Sequence, residues 1–179
     1  MFNELFTKIS PFELSENGFP VINKNFCAIT TGKLGEHNSM VGGVAGLGIL
    51  LHKPVCICLF PENRYTLELI EKNKTYTLSY FEKQYDQDLM FFGKKSGRDS
   101  DKMKETKLTA IETPNGNVTY EEASWCIECR LVQETIVTEN DFIDEQMKSA
   151  VLEAYKECGV YRKYVFGEII SVWKGGSSQ

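Results

Sequence analysis

Runs of residues with the pattern of β-strands recur along this chain, and they restrict its possible folds more than any other feature. Residues 75–81 alternate between large aromatic or aliphatic side chains and small hydroxyl side chains, and residues 55–60 are apolar on both faces. Residues 25–31, 125–137 and 164–173 also have strand character. Because no regular helical crossovers separate these runs, a doubly wound parallel sheet is disfavoured. The pattern predicts a mainly β fold, a closed or partly closed antiparallel barrel with short inserted helices.

Local signals predict where helices and one turn lie between the strands. Thr66 is a good N-cap for a helix over residues 67–72, and residues 86–92 suit a second short helix. Apolar residues at helical spacing near the C-terminus end at Gly159, which favours the position just after a helix. Residues 114–117 (PNGN) are typical of a hairpin turn. Since these insertions are short, residues 1–179 are predicted to form a single domain.

Charge and hydropathy exclude two classes of partner. A formal net charge of −5 argues against nucleic acid, which is bound by clustered lysine and arginine. No stretch reaches the roughly 20 apolar residues needed to span a bilayer, so no membrane partner is expected. Residues 1–10 lack the basic start and apolar run of a signal peptide. We therefore expect a cytoplasmic protein.

Four of the six cysteines occur in closely spaced pairs that could supply thiolates to zinc. The pairs are Cys56 with Cys58 and Cys126 with Cys129. Both pairs lie in apolar strand-like runs, and residues three apart on a strand point to opposite faces, so Cys126 and Cys129 should diverge. The sequence favours packing in the core over a metal site, and no metal is predicted.

Several short motifs, in order along the chain, resemble the flavin reductase-like family and especially its flavoredoxin-type branch. They are residues 28–32 with Asn38, Ser39 and Met40, residues 46–48 with 53–55, residues 64–66 with Ile70, residues 96–99 with Asp101 and Lys102, and residues 167–169. The resemblance covers about residues 26–172. It implies a six-stranded, antiparallel Greek-key split β-barrel. It also implies a homodimer that binds flavin mononucleotide (FMN) at the subunit interface.

The same resemblance implies which residues would hold FMN. Arg64 would grip the phosphate in a bidentate manner, with Tyr65 and Thr66 at a helix N-terminus beside it. Arg98 and Lys102 would add positive charge there. The other predicted cofactor-binding residues are Thr30, Thr31, Asn38, Ser39, Met40 and Val41, of which residues 38–41 would run along the flavin. Plainer interpretations stay open for each: a surface charge, a helix cap, a glycine-rich loop, a strand-forming threonine or a core methionine.

The sequence departs from the family pattern at four positions. Val41 replaces a threonine hydroxyl, a loss worth about 0.5–1.5 kcal/mol, and Val44 and Leu51 replace aromatic residues. Arg162 stands where the family often has a histidine near the approaching nicotinamide. FMN binding is therefore a firmer expectation than catalytic turnover.

Three functions are compatible with this resemblance. The first is an NAD(P)H-dependent flavin oxidoreductase, with NAD(P)H as the donor. The second is a flavoredoxin-like electron carrier that passes electrons to a redox partner protein. The third is a barrel that no longer binds flavin. No residue is assigned as catalytic, because the redox chemistry would belong to the flavin.

Overall fold

The computed structural model describes residues 2–10, 26–94, 96–98 and 102–175. Within these ranges the strands are β1 Phe6–Ile9, β2 Cys27–Thr31, β3 Asn38–Gly42, β4 Val44–Leu50, β5 Lys53–Pro61, β6 Thr75–Phe81, β7 Ala110–Glu112, β8 Val118–Tyr120, β9 Ala123–Val137 and β10 Arg162–Gly175. The α-helices are α1 Phe2–Leu5, α2 Tyr65–Asn73, α3 Asp86–Lys94 and α4 Glu145–Cys158, and 3₁₀ turns occupy Lys83–Tyr85, Lys102–Glu105 and Glu139–Asp141. No helix in the described ranges is long and apolar enough to cross a membrane.

Eight of the strands form one antiparallel sheet that curls into a barrel. The strand order is β3-β2-β6-β9-β10-β5-β4, and β1 pairs with the C-terminal part of β10. The end strands β3 and β4 follow one another in the chain, with only Gly43 between them. The two edges of the sheet are therefore brought together, so the sheet must close on itself. The predicted antiparallel split barrel with short inserted helices is confirmed.

The number of strands differs from the six predicted. The glycine-rich stretch forms β3 and β4, the N-terminal segment adds β1, and β7 and β8 form a separate hairpin. Glycine in a strand often marks a bulge or bend, and the β4–β5 register shifts between Val44 and Gly46. Gly42 also leaves room for a neighbouring core residue, since a Cβ there would lie 2.6 Å from Ile29 Cδ1.

Strand β6 separates two hydrophobic clusters. Tyr76, Leu78 and Tyr80 belong to the inner cluster, inside the barrel, as the alternation predicts, whereas Phe81 belongs to the outer cluster. Thr77 and Ser79 point to the opposite face, where the β7–β8 hairpin covers them. The Thr77 hydroxyl donates to the Val118 carbonyl at 2.6 Å, and the Ser79 hydroxyl lies 2.8 Å from that of Thr119. The polar face of β6 is thus buried and hydrogen-bonded.

A buried carboxylate ties the hairpin to the barrel. Glu128 is fully buried, and its Oε2 accepts hydrogen bonds from Thr113 Oγ1 at 2.9 Å and Asn117 Nδ2 at 2.6 Å. Its Oε1 accepts from Asn115 Nδ2 at 3.1 Å and Trp173 Nε1 at 2.5 Å. Four neutral donors satisfy this carboxylate, so the predicted hairpin turn is held against β9 and β10.

The described cysteine side chains pack in the two clusters. Cys126 belongs to the outer cluster and Cys129 to the inner one, which confirms that they diverge. Cys56 Sγ lies 3.6 Å from Cys129 Sγ. The absence of a side chain at Gly167 leaves room there for the Tyr76 ring, whose Cζ would lie 2.8 Å from a Cβ at this position. The five thiols that the structure describes are buried and not in disulfides, and Cys158 is not among them. In the described residues no group of His, Cys, Asp or Glu is arranged to hold a metal.

Candidate functional site

A cavity of about 510 Å³ lies where β3, the start of α2 and the end of α3 meet. Its volume is in the range of small-molecule sites. The loop at residues 96–98 and the turn that begins at Lys102 also contribute to its wall. Eight of the predicted site residues line it: Asn38, Met40, Val41, Arg64, Tyr65, Thr66, Arg98 and Lys102. The fold therefore brings together residues from four separate segments of the sequence.

Helix α2 begins at Tyr65, because Arg64 rather than Thr66 is its N-cap. Arg64 has extended backbone angles (φ −75°, ψ 126°), and its carbonyl accepts from Leu67 N at 2.9 Å. The predicted cap role of Thr66 is wrong, since its hydroxyl instead accepts from Asn38 Nδ2 at 2.7 Å. The first N–H groups of a helix have no acceptor within that helix. This part of the wall consequently offers backbone donors and the positive end of the helix dipole.

The Asn38 side chain is held between α2 and the loop at residues 96–98. It is only 9% exposed. On one side its amide nitrogen donates to Thr66, and on the other the backbone of Gly97 packs against the amide group. A Cβ at Gly97 would lie 2.7 Å from Asn38 Cγ, which is too close for any side chain. The loop backbone therefore reaches the cavity wall directly.

Lys102 places a buried cation in the cavity wall. Its Nζ donates to the Ser39 carbonyl at 2.9 Å and to the Phe92 carbonyl at 3.0 Å. Burial lowers the pKa of this amine to about 8, and the positive charge of Arg64 acts in the same direction. Two of the three N–H bonds of the protonated amine are directed to these carbonyls. Arg64 and Lys102 together make a positively charged corner that suits an anion.

Arg98 also lines the cavity, but an acidic neighbour offsets its charge. Its guanidinium carbon lies 4.9 Å from the centroid of the Tyr65 ring, and its Nη2 is 2.6 Å from Glu68 Oε2. Both partners of this ion pair are largely exposed, so the pair adds little stability. Arg98 consequently contributes less net positive charge to the cavity than Arg64 or Lys102 does.

The cavity also has an apolar wall, formed by Met40, Val41, Met90 and Phe92. Helix α3 packs closely against β3 because Gly93 has no side chain. A Cβ at Gly93 would lie 2.6 Å from Val41 Cγ1. A ligand with one anionic end and one apolar body matches this combination of charged corner and apolar wall.

Three predicted site residues do not line the cavity. Thr30 Oγ1 lies 2.8 Å from Ser39 Oγ, which lies 2.5 Å from the hydroxyl of Tyr120. Thr31 Oγ1 donates to the Thr75 carbonyl at 2.7 Å. These hydroxyls bond within the protein, although the Ser39 carbonyl does hold Lys102. Contact of these three residues with a cofactor stays a prediction.

Seven lining residues were not predicted as site residues: Asn63, Met90, Phe92, Gly93, Lys94, Ser96 and Gly97. Most of them lie at the end of α3 or in the loop after it. The sequence predicts α3 itself, but its periodicity does not indicate which strand the helix contacts. Ser96 and Gly97 belong to the family motif at residues 96–99, and Gly93 and Lys94 stand just before that motif.

The departures from the family pattern lie mostly away from the cavity. Val41 lines it, whereas Val44 is buried inside the barrel. Leu51 is exposed at the β4–β5 turn, where it and His52 have positive φ. Arg162 starts β10 and is not among the lining residues. Asp99 and Asp101 of the predicted motif lie outside the described residues.

Comparison with known proteins gives one family match. Residues 27–173 match the family described as flavin reductase like domain. No curated protein matches the sequence significantly.

Solved structures with a similar fold include a flavoredoxin, an FMN-binding protein and an FMN-binding domain. Flavoredoxin of Desulfovibrio vulgaris (Miyazaki F) is 19% identical, with a TM-score of 0.63 over 86% of this chain and 70% of that chain. An FMN-binding protein from Thermus thermophilus is 18% identical, with a TM-score of 0.60 over 86% and 73% of the two chains. An FMN-binding domain of a flavin reductases-like enzyme from Shewanella baltica is 13% identical, with a TM-score of 0.66 over 94% of this chain and 76% of that chain. At these identities the likeness establishes the fold.

Proposed function

Because this chain belongs to the flavin reductase-like domain family, we propose that it binds FMN in the cavity between β3, α2 and α3. One observation carries the proposal: a positively charged corner and an apolar wall share a single cavity of about 510 Å³. FMN has a phosphate at one end and, at the other, a flat aromatic ring system whose faces are apolar. The residues present therefore fit this cofactor.

The phosphate end of FMN would be held by the positively charged corner. Arg64 can donate two parallel hydrogen bonds to phosphate oxygens, and Lys102 adds a buried ammonium beside it. The first N–H groups of α2 favour an anion at the same place. The exposed Arg98 would contribute a weaker, longer-range attraction, because Glu68 already pairs with it.

The ring end of FMN would lie against the apolar wall. Met40 and Met90 can adapt to a flat ring because their side chains are unbranched and polarisable. When bound, the isoalloxazine would supply the redox chemistry, as acceptor of a hydride or of one or two electrons. The chain's own residues bind the cofactor, orient it and exclude water from one side.

We extend the proposal to a homodimer with FMN at the subunit interface, as the family resemblance implies. The outer face of β5 and β10 supports it. There Ile57 pairs with Phe166 and Leu59 pairs with Tyr164, and all four side chains are only half-buried in the single chain. Such a contiguous apolar and aromatic surface suits an interface with a second copy.

The activity that we propose is NAD(P)H-dependent flavin reduction. A flavoredoxin-like electron carrier is the second candidate, favoured by the structural likeness to a flavoredoxin and by Arg162 at the position of the family's histidine. Anaerobic mixing of the FMN-loaded protein with NADH and with NADPH separates the two. A reductase loses its yellow absorbance with at least one donor, whereas a carrier keeps it and bleaches only with a chemical reductant.

Arg64→Ala tests the binding proposal itself. Removing a charge-assisted phosphate contact should raise the Kd for FMN by at least about tenfold. The measurement is quenching of FMN fluorescence on titration with protein. Wild-type protein that purifies colourless and leaves FMN fluorescence unchanged would contradict flavin binding.

A further inference from the structure

We propose that Asn38 is a positioning residue for the phosphate end of the flavin site, acting through the hydroxyl of Thr66. The inference rests on the proposed FMN binding. It departs from the sequence-based expectation that the Asn38 side chain lies along the polar edge of the flavin ring.

The direction of one hydrogen bond carries the argument. Asn38 Nδ2 lies 2.7 Å from Thr66 Oγ1, and an amide N–H can only donate. The Thr66 hydroxyl is therefore the acceptor in this bond, and its own proton is directed elsewhere. Thr66 is only 2% exposed, and both residues line the cavity. We infer that the hydroxyl donates this proton to a ligand in the cavity.

Helix position places this hydroxyl at the phosphate end. Thr66 lies in the first turn of α2, two residues after Arg64, whose positive charge is near enough to Lys102 to lower the pKa of its amine. A threonine near a helix start often bonds to its own backbone. Here the Asn38 amide occupies a lone pair of the hydroxyl, and in our proposal the hydroxyl proton is donated to the phosphate, beside Arg64 and the first N–H groups of the helix.

Gly97 fixes the orientation of the Asn38 amide. A Cβ at Gly97 would collide with Asn38 Oδ1 and lie 2.7 Å from Cγ, so the backbone of the loop is in direct contact with the amide plane. The amide is therefore enclosed between Gly97 and Thr66. Few other orientations are open to it, and the Thr66 hydroxyl is preorganised before the ligand binds.

Comparing FMN with riboflavin, which lacks the phosphate, tests the proposal. Asn38→Ala should raise the Kd for FMN by about tenfold, because the phosphate loses an oriented donor, and should leave the Kd for riboflavin unchanged. Thr66→Val is nearly isosteric and should give the same selective loss. The double variant should lose no more than either single variant, because the two residues act as one unit.

Ser124→Ala is the control. Ser124 Oγ donates to the Tyr80 carbonyl at 3.1 Å, and neither residue lines the cavity. This variant removes one partly buried side-chain hydrogen bond and should bind FMN like the wild type. Thermal unfolding of each variant checks that it is folded, and Thr66→Ser, which keeps the hydroxyl, should retain FMN affinity.

Three results would overturn the inference. Equal losses for FMN and riboflavin would mean that Asn38 contacts the ring. Unchanged FMN affinity in both Asn38→Ala and Thr66→Val would mean that the pair has no role in binding. If the wild type binds neither FMN nor riboflavin, the proposed function itself is wrong. That result is distinguishable from the first two, in which the wild type still binds flavin.

Discussion

At the scale of single residues, the site depends on two cations held in different ways. Arg64 caps α2 and is exposed, whereas Lys102 is buried and bonded to two carbonyls. A buried amine is costly to keep charged, which is why the pKa of Lys102 falls to about 8. A bound phosphate would favour the charged form and raise this pKa again.

The lowered pKa predicts that FMN affinity falls as the pH rises from 7 to 9. Above about pH 8 the ligand-free protein loses the Lys102 proton, whereas the FMN complex keeps it, so binding takes up a proton. The phosphate itself is a dianion throughout this range, because its second pKa is about 6. As the pH rises above about 8, the Kd for FMN should increase, and the increase should approach about tenfold for each pH unit.

Fluorescence titration of FMN at pH 7, 8 and 9 measures this effect. Lys102→Met removes the titrating amine, so its Kd should be raised at pH 7 and should change little with pH. Riboflavin, without a phosphate, serves as the ligand control. A wild-type Kd that is flat between pH 7 and 9 would mean that Lys102 does not face the phosphate.

At the scale of secondary-structure elements, local pattern predicts most of the barrel. Strand β6 spans Thr75–Phe81 and β9 ends at Val137, both as predicted. Helix α4 ends at Cys158, and Gly159 follows it in the left-handed conformation, with a φ of 69°. Each of these elements is predictable because its own residues show apolar periodicity or a residue typical of a helix end, without reference to the rest of the fold.

The elements that the sequence missed depend on tertiary contact. Strand β3 ends in Gly42 and β4 contains Gly46 and Gly48, and these glycines interrupt the side-chain alternation by which strands are recognised. The alternation in β6 predicts its polar face but does not indicate that the β7–β8 hairpin covers it. In the same way, Thr66 looks like a helix cap in sequence, and only the fold brings Asn38 within 2.7 Å of its hydroxyl.

The β7–β8 hairpin offers a test of element docking. Glu128→Gln keeps the size of the side chain but replaces one acceptor oxygen with an NH₂ group that faces two donors. Placed at Oε2, the NH₂ group can donate to the Thr113 hydroxyl, but the Asn117 amide then loses its acceptor; placed at Oε1, it faces the donors of Asn115 and Trp173. At least one buried donor is left unsatisfied, so we expect the free energy of unfolding to fall by about 2 kcal/mol.

Urea denaturation monitored by tryptophan fluorescence measures this loss. Glu112→Gln is the matched control, since Glu112 lies exposed on the same hairpin and its change should stay within about 0.5 kcal/mol. If Glu128→Gln is as stable as the wild type, the carboxylate does not fix the hairpin.

At the scale of the whole molecule, the proposed dimer depends on the outer face of the barrel. A charge introduced at Phe166, which pairs with Ile57 on that face, would have to be buried on association. Phe166→Asp should therefore convert a dimeric wild type to monomers in sedimentation velocity experiments. Ile143→Asp introduces the same charge at a residue that is 99% exposed elsewhere, and it should leave the dimer intact.

The same pair of variants links assembly to cofactor binding. If FMN lies at the interface, monomeric Phe166→Asp should bind it more weakly than the dimer does, although its positively charged corner of Arg64 and Lys102 is unchanged. Ile143→Asp should bind FMN like the wild type. Full FMN affinity in the monomer would mean that one chain forms the complete site, because nothing from a second copy would then be needed to hold the ring.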